Sequence, residues 1–104
     1  MYGLIGRIDA LPGRRDELIE ILLEGTSGMP GCLLYVVSRD AREEDALWVT
    51  EVWAREEDHV ASLALPEVRE AIGRGRPLIA GFAQRVEVAP VGGHGLGDSG
   101  DSAP

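Results

Sequence analysis

Two hydrophobic periodicities alternate along this chain, and the order in which they do so leaves few folds open. Residues 2–9 put Tyr2, Leu4 and Ile8 on one side of an extended strand and Ile5, Arg7 and Asp9 on the other. Leu11-Pro12-Gly13 breaks that alternation, and residues 14–24 then space Leu18, Ile19, Leu22 and Leu23 as one face of a helix with charges between them. Gly25, Gly28, Pro30 and Gly31 end the helix. Residues 32–38 and 46–54 read as two further strands, joined as a hairpin by a loop with six charged residues in seven. Residues 56–65 open on Glu56, Glu57 and Asp58, suited to a helix N-terminus, with Val60, Leu63 and Ala64 as its apolar side. Pro66 restarts a helix carrying Val68 and Ile72, broken or kinked on the way to about Ala80, and residues 82–89 form the fourth strand. The order is βαββαβ, which predicts an α+β, ferredoxin-like antiparallel sheet with its helices on one face.

Such a sheet has two faces to account for. Parity puts Leu33, Tyr35 and Val37 on one side of the second strand and Cys32, Leu34 and Val36 on the other. In the third strand Leu47, Val49 and Trp53 oppose Trp48 and Val52. Both sides are apolar while helices cover only one, so a second copy of the chain is the expected cover and a homodimer the expected assembly.

The 104 residues suffice for one domain, expected over residues 1–90. Residues 91–104 are rich in glycine and carry too little apolar surface to offset the entropy of ordering, so a flexible tail is expected there. No apolar run approaches the roughly 20 residues of a membrane span, and no leader precedes the first strand; no membrane partner and a cytoplasmic location are expected. The 18 acidic residues against 10 basic ones, net charge −8, repel a phosphate backbone, so no nucleic-acid partner is expected. All ten basic residues are arginine; with no lysine present, P-loop and Schiff-base chemistry are excluded. One cysteine and two histidines are too few for a structural zinc site, so neither a disulfide nor a metal is expected.

The run Leu11-Pro12-Gly13-Arg14-Arg15-Asp16-Glu17-Leu18, then Pro30-Gly31-Cys32-Leu33, then Glu51-Val52-Trp53, resembles the antibiotic biosynthesis monooxygenase family over about residues 3–90. The resemblance implies two ferredoxin-like subunits joined as a dimeric α/β barrel, each with a pocket between sheet and helices. It further implies oxidation of phenols, hydroquinones or anthrone-like aromatics to quinones without flavin or metal, hence no cofactor and a small aromatic or hydrophobic partner. The chain departs from the family in its pocket. Histidines that many members carry nine and fourteen residues after the tryptophan are Ser62 and Glu67 here, and an asparagine four residues before it is Val49. The asparagine and histidine of haem-degrading relatives align with Gly6 and Ile72, so haem cleavage is not expected.

Oxygenation without a cofactor needs a base, a dry pocket and a stabiliser for a substrate anion. His59 is the first candidate base, because histidine titrates near neutrality. Glu51 is the second candidate acid or base, with a salt bridge to Arg7 or Arg85 as its competing fate. Trp53 is expected to stack on a planar substrate or to pack in the core, and Val49, Gly6 and Leu4 share the substrate-binding surface with it. Tyr35 and Trp48 read as interface or core aromatics, and Cys32 as a buried, unreactive thiol. Two functional readings follow. One is a cofactor-independent monooxygenase; the other is a non-catalytic dimeric barrel that binds a small hydrophobic ligand or serves as a stress-response or accessory protein.

Overall fold

The computed structural model describes residues 1–96. Four strands, β1 (Tyr2–Ala10), β2 (Cys32–Arg39), β3 (Ala46–Trp53) and β4 (Ile79–Val88), form one antiparallel sheet in the order β2-β3-β1-β4. Three helices, α1 (Arg15–Gly25), α2 (Glu56–Ser62) and α3 (Pro66–Gly75), complete the βαββαβ plan, and a short 3₁₀ turn, Arg76–Leu78, leads into β4. The ferredoxin-like α+β fold read from the sequence is the fold observed.

Local chemistry sets the element ends. Asp16 and Glu17 occupy the first turn of α1, where negative charge complements the helix dipole, and Pro66 opens α3 at a position where its missing N–H costs nothing. Asp40 shapes the β2–β3 hairpin: its Oδ1 accepts the backbone N–H groups of Arg42 and Glu43, both at 2.9 Å, and its Oδ2 accepts the Trp48 indole N–H at 2.8 Å. These three donors hold its carboxyl far below the ordinary carboxylate range, the Glu43 N–H foremost. Arg15 ties α1 to the same hairpin by donating to the carbonyls of Glu43 and Ala46.

The core lies between the sheet and α1 and α3. Leu18 and Ile21 of α1, Ala71 of α3, Leu47 and Val49 of β3, Ala10 and Leu78 make one cluster; Met29, Trp53 and Val68 make a second. The helices approach closely because Gly25 faces Ala71, and a Cβ on Gly25 would overlap the Ala71 methyl.

Irregularities in the strands revise the simple parity expected above. A register shift between Cys32 and Leu34 places Cys32 opposite Trp53, packed with Met29, Trp53 and Val68 under the helices and not on the side of Leu34 and Val36. β4 begins at Ile79, three residues before the expected Phe82, and the preceding segment is a 3₁₀ turn ending at Leu78. Ala80 and Ala83 are unpaired extra residues in β4, so Phe82, opposite Ile8, shares a face with Arg85 and Glu87 instead of alternating with them. In α2 the inward residues are Ser62 and His59; Val60 and Leu63, expected on the buried side, are exposed.

The other face of the sheet carries Ile5, Leu34, Val36, Val52, Val86 and Val88, with Val36, Val86 and Val88 exposed. No helix among the described residues is long and apolar enough to cross a membrane. Residues 91–96 hold no helix or strand, and the rest of the expected tail, residues 97–104, lies outside the described residues.

Candidate functional site

On the helix side of the sheet, strand pairing aligns side chains in rows. One row runs Tyr35, Glu51, Leu4 across β2, β3 and β1; the next runs Val37, Val49, Gly6, Arg85 across all four strands. Gly6 interrupts the second row. Its backbone is not in the left-handed region, and a Cβ built there would meet only the Gln84 carbonyl oxygen, at 3.4 Å. A glycine inside a strand weakens it, and here the missing side chain leaves open space between Val49 and Arg85. That space is a cavity of about 210 Å³ bordered by Leu4, Gly6, Val49, Glu51, Tyr35, Phe82 and Arg85, with Leu22 of α1 above it. Four of the six expected site residues therefore meet in one chamber.

The other two stand next door. Trp53 and His59 border an adjoining chamber of about 110 Å³ with Met29, Ser62 and Val68; Leu22, Tyr35 and Glu51 belong to both chambers. A third opening, about 510 Å³, runs between α1, α3 and the start of β4 and meets the first at Ile8, Leu22 and Phe82. Trp53 is fully buried and packs as a core residue, while its indole N–H donates to Glu51 Oε1 at 2.9 Å. His59 sits between two aromatic rings, 5.6 Å from the centroid of Tyr2 and 5.6 Å edge-on to Trp53, with its Nε2 3.9 Å from the same Glu51 oxygen. His59 stays in place because α2 turns its His59–Ser62 side toward the sheet, and the buried Ser62 hydroxyl donates to the His59 carbonyl at 2.6 Å.

Glu51 is thus the hinge of the site, and its partners are not those expected. No arginine lies within ion-pair distance of it among the described residues: Arg7 is held by Asp9 at 3.0 Å, and Arg85 has no carboxylate within 4.0 Å. The carboxylate is oriented by an indole and has a histidine near the same oxygen, so Oε1 is engaged and Oε2 is the oxygen able to accept a substrate proton. Burial pushes the Tyr35 phenol well above its ordinary value, with the Glu51 charge adding to the effect, so Tyr35 lines the wall as a neutral hydroxyl. Tyr2, outside the expected set, donates to Glu87 Oε2 at 2.6 Å, and that bond is the main cause raising its phenol. Burial likewise raises the Cys32 thiol, whose sulfur lies 3.5 Å from the Leu34 carbonyl, in keeping with an unreactive side chain. Trp48 is bound to Asp40 and pairs with Arg7, away from the chambers. Among the described residues no three His, Cys, Asp or Glu side chains are arranged to hold a metal.

Sequence reading missed Leu22, Phe82 and Arg85. Phe82 and Arg85 come together only through the extra residue at Ala83, and nothing in the alternation of residues 82–89 signals it.

A four-stranded antiparallel sheet backed by helices, with a mostly apolar crevice between the two layers, defines a ferredoxin-like pocket domain. The comparisons narrow the class. The family model for antibiotic biosynthesis monooxygenases matches residues 1–74, and the chain belongs to that family. A candidate antibiotic biosynthesis monooxygenase from Chloroflexus aurantiacus J-10-fl has a crystal structure that superposes with a TM-score of 0.91 at 59% identity, covering 92% of this chain and 98% of the other. Another from Deinococcus radiodurans gives a TM-score of 0.73 at 26% identity, over 86% of this chain and 92% of its own. A conserved protein from Methanosarcina mazei Go1, 16% identical, shares the fold with a TM-score of 0.73 over 84% of this chain and 89% of its own. No curated protein matches the chain.

Proposed function

We propose that this chain is a cofactor-independent monooxygenase that oxidises a small phenol, quinol or polycyclic phenol with dioxygen. One observation carries the reading: an apolar chamber over Gly6 has in its wall a carboxylate, Glu51, whose Oε1 accepts the Trp53 indole N–H and lies 3.9 Å from His59 Nε2. Leu4, Val49, Leu22 and Phe82 give a planar ring apolar walls. The substrate hydroxyl donates its proton toward Glu51, and His59 takes up that charge as an imidazolium, closing the 3.9 Å gap in the bound complex. The phenolate passes one electron to dioxygen, and the two radicals join through a new carbon–oxygen bond at a ring carbon bearing hydrogen. That hydrogen leaves as a proton while the oxygen–oxygen bond breaks. The balance is one phenol and one dioxygen to one quinone and one water, the substrate supplying every electron.

The proposal includes a homodimer working in the cytoplasm. Support for the dimer is the apolar face carrying Val36, Val86 and Val88, which no helix of the same chain covers.

Oxygen uptake with a panel of phenols and quinols, no cofactor added, tests the reading. The parent is expected to consume dioxygen, and Glu51→Gln and His59→Ala to lower the rate by roughly 10²- to 10⁴-fold with an altered pH profile. No uptake above the uncatalysed background across the panel overturns it in favour of a non-catalytic binding protein.

A further inference from the structure

We propose that Arg85 selects the substrate by taking an anionic group, so that the ligand of the Gly6 chamber is an aromatic acid: a planar ring with a carboxylate at one end and a hydroxyl at the other. The inference rests on the chamber being the substrate site. Arg85 stands directly across from Gly6 in the β1–β4 pairing, on the helix side of the sheet, and borders the chamber. Its charge is uncommitted: no carboxylate of the described residues lies within 4.0 Å. The nearest acidic neighbour on its face and strand, Glu87, accepts the Tyr2 hydroxyl at 2.6 Å, and the other arginine bordering the chamber, Arg7, is bound to Asp9.

Position makes this more than an exposed arginine on an edge strand. Glu51 pairs with Leu4 from the β3 side of β1, and Arg85 pairs with Gly6 from the β4 side. The two charges therefore flank β1 across two inter-strand steps and two residues along it, about 12 Å between their backbone positions. Between them the gap at Gly6 offers a flat, open bed, with Phe82 beside it, 74% exposed. A ring lying across β1 would present its hydroxyl to the Glu51–His59 pair and its far end to the Arg85 guanidinium, whose planar fork matches a carboxylate. A ligand with the carboxylate at the Glu51 end would meet like charge, so the arrangement also fixes which way round the substrate enters.

The test is a binding titration, by calorimetry, of 6-hydroxy-2-naphthoate, its neutral amide, and 2-naphthoate without the hydroxyl, on the parent and on Arg85→Gln. The acid is expected to bind about tenfold tighter than the amide, the scale of one partly solvated charge-assisted pair. Arg85→Gln should weaken both acids about tenfold and leave the amide unchanged. Equal binding of acid and amide to the parent, equal weakening of acid and amide by the substitution, or transfer of the effect to Arg76→Gln, a residue bordering the third opening, overturns the proposal. Oxygen uptake on the same ligands separates the two claims. Arg85-dependent acid binding without turnover of any hydroxynaphthalene sustains this inference and removes the monooxygenase; turnover without acid preference does the reverse; binding of none of the three removes both.

Discussion

Replacing Gly6 by valine should make the protein more stable and less able to hold its ligand, a combination that few single substitutions produce. A glycine in a strand interior costs about 0.5–1 kcal/mol relative to alanine through the freedom it loses on folding. Recovering that energy should raise Tm by about 2–8 °C in a domain of this size. Nothing in the fold opposes the new side chain, because the nearest atom to its Cβ is the Gln84 carbonyl oxygen at 3.4 Å and the backbone is ordinary strand. Its methyl groups must enter the chamber of about 210 Å³ between Val49 and Arg85, where a bound ring would lie. Forcing ligand and side chain into the same space costs about 1–3 kcal/mol, hence about 5-fold to about 160-fold in Kd. Calorimetric titration of 2-naphthol beside a thermal melt reads both quantities on one preparation, and Gly6→Ala should fall between parent and valine. A valine variant that binds as tightly as the parent refutes the placement of the ligand over Gly6; one that melts lower refutes the claim that this glycine leaves usable space.

Asp40→Asn should loosen the β2–β3 hairpin in a pH-dependent way. The parent's Asp40 carboxyl is held below its unfolded value by three donors, so its contribution is present above about pH 4 and lost as the pH falls through the lower folded-state value; the gap in Tm between parent and variant should be open at pH 7 and close toward pH 2. Gly25→Ala should cost about 1–3 kcal/mol, read from urea unfolding, because the added methyl overlaps Ala71 and sits 3.1 Å from the Glu67 carbonyl oxygen; an unchanged midpoint would show that α1 and α3 part freely. Light scattering at micromolar concentration should report twice the chain mass, with an interface of about 1,200 Å² or more, and Val36→Asp should yield the monomer.

The sequence displays the layer plan because β1 alternates, β2 and β3 are apolar runs bounded by turn and charged residues, and α1 carries a clear apolar stripe, so their ends agree with the structure to within a residue or so. It hides whatever depends on an extra residue in a strand. Cys32 and Phe82 both change face at such points, and a period-two reading has no means of locating them. The i,i+2 relation of Glu51 and Trp53 on one strand is legible and becomes a hydrogen bond. The distance of His59 from the Gly6 chamber is not, since it depends on how α2 is turned, and the apolar Val60 of that helix faces solvent. Arg85 could be recognised as chamber-facing only after its pairing with Gly6 was known.

Of the four strands in this sheet, β1 is made before the others and is satisfied only when the last of them arrives. β1 occupies an interior place in the sheet, and its two neighbours are β3, which ends at Trp53, and β4, which ends at Val88. Until Val88 has emerged and reached Gly3, one side of Tyr2–Ala10 presents a row of unpaired backbone groups to solvent, the template on which strands of other chains add. Synthesis therefore has to run through nearly the whole domain before its sheet can close, and pairing over such sequence separations is slow. A chain cut short early in β4 would keep both residues of the Glu51–His59 pair yet carry an open edge along β1, so premature termination in this fold leaves an aggregation-prone strand exposed.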